Sequence, residues 1–172
     1  MSRRYVTTIV MYGDISNSVS QWASWYDYAV NQALQLGYIP NYIGVIGQSF
    51  ASGKINLIKR IDKRLRKALS EGEEFSSIAI YSLPDGYNQA AFDYEIYLSR
   101  DTQEKSPHII FTIPSDSYKN LDENSIIKEL KRFINFTNGQ VFEMLSSESP
   151  QFYAAKVNLP EVYKSLKILR EF

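Results

Sequence analysis

The sequence predicts an α/β (α+β) domain: a mixed, largely antiparallel sheet with helices packed on it as a two-layer sandwich. Three observations carry this. An apolar stretch, Tyr5 to Tyr12, runs straight into a segment of helical period, Asp14 to Gly37. The middle of the chain then changes to a period of two, with Pro84-Asp85-Gly86 as a turn between two such stretches. The helical period returns after Asp122. The order read from the chain is β-α-β-α-β-β-β-α-β-(β)-α. No linker, low-complexity run or repeat divides residues 1–172, which read as a single domain.

Tyr5 to Tyr12 is apolar on both faces, as a central strand requires. In the helix that follows, Ser18 is placed as N-cap, with Gln21 three residues on. Gly37 supplies a left-handed C′ position and Pro40 stops any continuation. At about 100° per residue, Val19, Trp22, Tyr26, Ala29, Ala33 and Leu36 form the core stripe. Tyr42 to Ile46 is a second strand, so the helix is a crossover. A basic helix, Ile55 to Ser70, buries Ile58, Ile61, Leu65 and Ala68. Phe75 to Leu83, Ala91 to Arg100 and His108 to Ile113 form a meander. A third helix starts at Asp122 or Asn124 and is closed by Asn138-Gly139. Val141 to Leu145 is a strand, Phe152 to Val157 an optional last strand, and Asn158 with Glu161 caps a C-terminal helix through Leu169.

The absence of cysteine excludes disulfides, thiol nucleophiles and Cys-ligated zinc. A single His excludes a multi-histidine metal site within the chain. The longest apolar runs are of strand length, so no membrane helix is expected. The basic start Met1-Ser-Arg-Arg leads into Tyr-Val-Thr-Thr-Ile, too polar for a signal-peptide core, and the expected location is the cytoplasm. Net charge is zero, yet it is segregated. Lys54 to Lys67 holds seven cations against Asp62, while Glu71 to Glu129 holds twelve acids against four cations.

No motif of catalysis survives inspection. Gly47 to Lys54 approaches a phosphate-cradling loop, but Gln48 stands where its first glycine belongs and Ile55 where a metal-holding hydroxyl belongs. No cofactor or metal is expected. The 54–67 helix is an alternative nucleic-acid surface, but it lacks stacking aromatics and is read as a solvated face. The preferred candidates are partner-binding residues. Trp25 lies about 60° off the core stripe, with Tyr28 farther round beside Gln32, and large aromatic area off the core suits a protein partner. Asp93, Glu95 and Tyr97 share the outer face of their strand and add an acidic, aromatic surface.

The Trp22-Ala-Ser-Trp-Tyr26-Asp-Tyr28 run, the acidic Asp93-Tyr-Glu95 strand and the lack of an active-site signature together give the chain a recognisable character. It resembles the bacterial immunity proteins that neutralise polymorphic toxins: small, cytoplasmic, cysteine-poor α/β domains. The resemblance implies a stoichiometric inhibitor that masks a toxin's active site, and it assigns no individual residue.

Overall fold

In a computed structural model, residues 4–102 and 105–172 are described. The basic start at Met1 to Arg3 and two positions of the loop before the sixth strand, Gln103 and Glu104, lie outside them. Eight strands form one sheet: β1 (Tyr5–Asp14), β2 (Tyr42–Gly47), β3 (Ile55–Leu57), β4 (Phe75–Ser82), β5 (Ile96–Asp101), β6 (His108–Pro114), β7 (Asn135–Leu145) and β8 (Lys167–Glu171). Their spatial order is β3-β2-β4-β5-β6-β1-β7-β8, and every neighbouring pair is antiparallel. The expected meander is β4-β5-β6. β1 and β2 run in the same direction but stand three strands apart, because α1 (Val19–Gln35) crosses the face of β4, β5 and β6 to connect them.

Local signals place α1 well. The Ser18 side chain accepts a hydrogen bond from the Gln21 N–H, and Gly37 takes a left-handed φ of 88° just beyond the last turn. Gln21 does not close a capping box; its Oε1 instead accepts from Arg100. On the first face of the sheet, α1, α2 (Ile58–Ser70) and the later α5 (Glu123–Leu130) bury Ile9, Met11, Ile43, Ile80, Leu98 and Phe111. Arg100 on β5 reaches into the same layer. Fully buried, its guanidinium donates to the carbonyls of Phe133 (2.9 Å) and Ser16 (3.0 Å) and stacks 4.3 Å from the Trp22 ring.

The second face is covered by irregular segments. These are α3 (Ala90–Asp93), α6 (Pro150–Ala154) and, after an exposed 3₁₀ turn at Pro160–Val162, Tyr163; they pack over Val10, Ala79, Tyr97, Phe142 and Met144. The remaining helical turn, α4 (Ser115–Tyr118), links β6 to α5.

Most departures from expectation lie after Asp122. α5 is capped by Asp122 as expected, but it ends at Leu130, and Asn138-Gly139 lies inside β7. Residues 150–154 form α6 instead of a strand. The expected C-terminal helix is the 3₁₀ turn followed by β8, which pairs with β7. Earlier in the chain, Ile55–Leu57 pairs with β2 as β3, so the basic helix starts at Ile58.

The buried tyrosines make this fold alkali-sensitive. Burial raises the phenols of Tyr12, Tyr26, Tyr28, Tyr81, Tyr94 and Tyr118, and pushes Tyr97 up to about 12. The unfolded chain loses these protons near pH 10, so above it the folded state binds more protons and stability falls as pH rises. Arg100, lowered to about 10 by burial, acts in the opposite sense, as one group against seven. The expected result is a falling melting temperature between about pH 9 and about pH 11, with tyrosinate absorbance appearing together with unfolding. Smooth titration of these tyrosines near pH 10 with the fold intact would contradict it.

Candidate partner-binding site

The aromatic flank of α1 is core. Trp25 is 0 % exposed, correcting the expectation that it stands off the packed face. Its indole N–H donates to the Ile78 carbonyl (3.1 Å), and its ring meets Phe133 edge-on at 5.4 Å. The cover comes from the chain after α5, where the 3₁₀ turn Lys131–Phe133 folds back over α1. Tyr28 is half-buried, its hydroxyl donates to Glu129 (2.9 Å) and its ring packs against Phe133 at 5.1 Å. Gln32 is buried. Tyr28 and Gln32 still line a shallow polar groove of about 410 Å³ with Asn31, Gln35 and Arg132, so this pair does share a surface.

The acidic candidates separate. Asp93 is not on a strand; it ends α3, and its carboxylate accepts from the backbone N–H groups of Asn88 (2.8 Å) and Gln89 (2.9 Å), which hold its pKa below the usual carboxylate range. Glu95 is half-buried in the approach to β5, where its backbone N–H donates to the Ser82 carbonyl at 2.8 Å. Tyr97 is buried against Tyr81 (4.9 Å) and Tyr94 (5.5 Å). These three lie with the second face, whereas Trp25, Tyr28 and Gln32 lie on the first. The sheet separates the two groups, and they form no common surface.

The glycine-rich loop is a tight hairpin connection. The Gly47 N–H donates to the Phe50 carbonyl (2.9 Å), and Gly53-Lys54 leads into β3, not into a helix. Lys54 is therefore not at a helix N-terminus, and the strand–loop–helix context of a phosphate cradle is missing. On α2, Lys59, Arg60, Lys63, Arg64, Arg66 and Lys67 are exposed, while Ile61, Leu65, Ala68 and Leu69 are buried. Arg66 is engaged with Asp27 and Asp62, and Arg64 lies 4.2 Å from the Phe50 ring. Replacing Lys59, Lys63 and Lys67 by Gln is expected to change stability by less than about 0.5 kcal/mol, since the one ion pair lost, Lys67–Glu71 at 3.9 Å, is exposed. Duplex DNA and RNA are expected not to bind at about 0.15 M salt; micromolar binding with a steep salt slope would contradict the scaffold reading.

The surface that sequence reasoning missed lies on the last quarter of the chain. Six of the nine exposed large hydrophobics among the described residues are Phe152, Val157, Leu159, Val162, Ile168 and Leu169. Leu159 is 74 % exposed. Between this segment and the second face runs a cleft of about 710 Å³. Its floor is tied down by the Tyr12 hydroxyl donating to the Ala154 carbonyl (2.6 Å) and the Tyr153 hydroxyl donating to Gln140 (2.6 Å). β8 forms one edge of the sheet with all five residues exposed. A bulge leaves Leu169 without a β7 partner and puts Lys167 and Glu171, opposite Glu143 and Gln140, on different faces. That edge is blunted against further strand pairing, so the apolar face beside it is the available surface. A helix over Asn158 to Leu169 would have turned these side chains onto one buried stripe; only the pairing of β8 with β7 leaves them outside.

His108 is buried, with Nδ1 2.7 Å from the Ser106 carbonyl and its ring against Tyr12. Among the described residues there is no group of three or more His, Cys, Asp or Glu placed to hold a metal, and no helix long and apolar enough to cross a membrane. No family model, curated protein or solved structure matches the chain.

Proposed function

We propose that the chain is a non-enzymatic protein-binding module of the cytoplasm, an immunity protein or inhibitor that masks the active site of a toxin. Its docking surface is the apolar segment from Phe152 to Leu169. The observation that carries this reading is the concentration of exposed apolar side chains there: six of the nine exposed large hydrophobics among the described residues lie in this segment. Large exposed apolar side chains beside an exposed strand are a surface that a partner dehydrates. Of the residues favoured by the sequence, Trp25 and Tyr97 are packed in the core and Asp93 is bound to the backbone of its own turn.

Affinity capture from a lysate of the native host tests it, using the wild type, a Leu159→Asp/Val162→Asp variant and the α2 triple Lys→Gln variant. A stoichiometric partner held by the wild type and the α2 variant, and weakened about thirtyfold or more by the double variant, is expected. Equal binding by the double variant overturns the docking surface, and the absence of any stoichiometric partner overturns the binding role. One equivalent of the chain is expected to abolish the partner's enzymatic activity; full activity in the complex overturns the inhibitor class.

A further inference from the structure

We propose that the cleft beneath residues 156–160 is a binding site for a small organic anion with an apolar, aromatic body. This goes beyond the protein-binding role and does not depend on it. At about 710 Å³ the cleft is of the size that small-molecule sites occupy. Its lining includes the apolar side chains of Val157, Leu159 and Pro160 and the aromatic residues Tyr12, Tyr153 and Phe172.

Two charged side chains line the cleft, Lys156 and Glu171. The Tyr12 and Tyr153 hydroxyls are engaged as donors within the fold, and Glu171, the one acid in the lining, accepts from Gln140 Nε2 at 3.2 Å. The Lys156 ammonium has no ion-pair partner among the described residues, and neither it nor the Asn138 amide has a hydrogen-bond partner there. The lining therefore offers the unpaired Lys156 cation and the Asn138 amide donor to a ligand, while Glu171 is held by the Gln140 amide. Lys156 Nζ lies 4.2 Å from the Tyr12 ring, which places the charge at the aromatic wall of the cleft. Its backbone takes a left-handed φ of 59°, a conformation that a lysine adopts at a cost. A carboxylate or sulfonate paired with Lys156, with a ring between Leu159 and the tyrosines, satisfies each of these groups.

The probe is 8-anilinonaphthalene-1-sulfonate, with N-phenyl-1-naphthylamine as the same ring system lacking the anion. The native chain is expected to bind one equivalent of the sulfonate saturably, with blue-shifted fluorescence. Lys156→Gln is expected to weaken the sulfonate about tenfold and the neutral probe less than about twofold, while Leu159→Asp weakens both. Lys156→Gly suits the left-handed backbone and is expected to lose the same affinity for the sulfonate with no fall in melting temperature. No saturable binding, a sulfonate affinity indifferent to Lys156, or equal weakening of both probes by Lys156→Gln overturns the site. The readout needs no protein partner, so its failure is distinct from failure of the protein-binding role.

Discussion

Replacing Trp25 with alanine is expected to cost about 3–5 kcal/mol of stability, as much as Trp22→Ala. Both indoles are fully buried in one core under the first face. Truncating Trp25 opens a cavity between β4 and the Lys131–Phe133 turn, removes the contact with Phe133, and leaves the Ile78 carbonyl without its indole donor. The lost indole hydrogen bond adds about 0.5–1.5 kcal/mol. Trp25→Phe keeps most of the apolar contact and loses the hydrogen bond, so it separates the two contributions. Tyr28→Ala is expected to cost clearly less, because Tyr28 is partly exposed and so is the Glu129 partner it would leave. Urea unfolding of the four variants measures the ranking. A cost below about 1 kcal/mol for Trp25→Ala would mean that the flank is not core.

The second large effect is expected at Gly13. Here the β1–β7 pairing shifts register after Tyr12, and the two backbones come so close that a Cβ on Gly13 would lie 2.0 Å from the Asn135 carbonyl oxygen and 3.2 Å from Phe136 Cα. Both obstacles are main chain, so no side-chain rotation relieves them. The φ of 154° adds strain for any residue with a Cβ. Gly13→Ala is expected to cost roughly 2–6 kcal/mol, from overpacking of about 1–3 and backbone strain of about 1–3. Gly72→Ala is the comparison: φ is 77° but nothing lies within 4 Å of the added Cβ, so only the left-handed cost of about 1–2 kcal/mol applies. Equal costs at the two positions would contradict the close approach of β1 and β7.

What could be read in the sequence was what is decided locally. Ser18, Gly37, the Pro84-Asp85-Gly86 turn and the stripes of α1 and α2 follow from spacing, and each stands where the spacing puts it. What could not be read was decided by distant chain. Asn138-Gly139 reads as a helix stop, but Gly139 is in β7 because the Phe172 ring and the Val10 carbonyl would lie 2.6 and 2.8 Å from a Cβ there. Asn158 and Glu161 have cap spacing, yet the residues after them pair with β7 as β8. Ala91 to Asp93 alternates like a strand, but Asp93 closes a helical turn on Asn88 and Gln89. The candidate site suffered most. The face of Trp25 was legible as an angle on α1, while its cover lies a hundred residues later. The exposed apolar segment existed only once β8 was known to be a strand.

The most direct test of the docking surface is amide hydrogen exchange of the chain alone and bound to its captured partner. The 156–162 stretch is wholly exposed, and within it the amides of Asn158, Leu159 and Glu161 donate to no backbone carbonyl of the described residues, so these exchange fast in the free chain and any cover registers clearly. Binding is predicted to slow exchange from Gln151 to Glu171, while α2 and the Tyr28–Gln32 groove exchange as before. Slowed exchange confined to α2 or to that groove, with the last quarter of the chain unchanged, would contradict it.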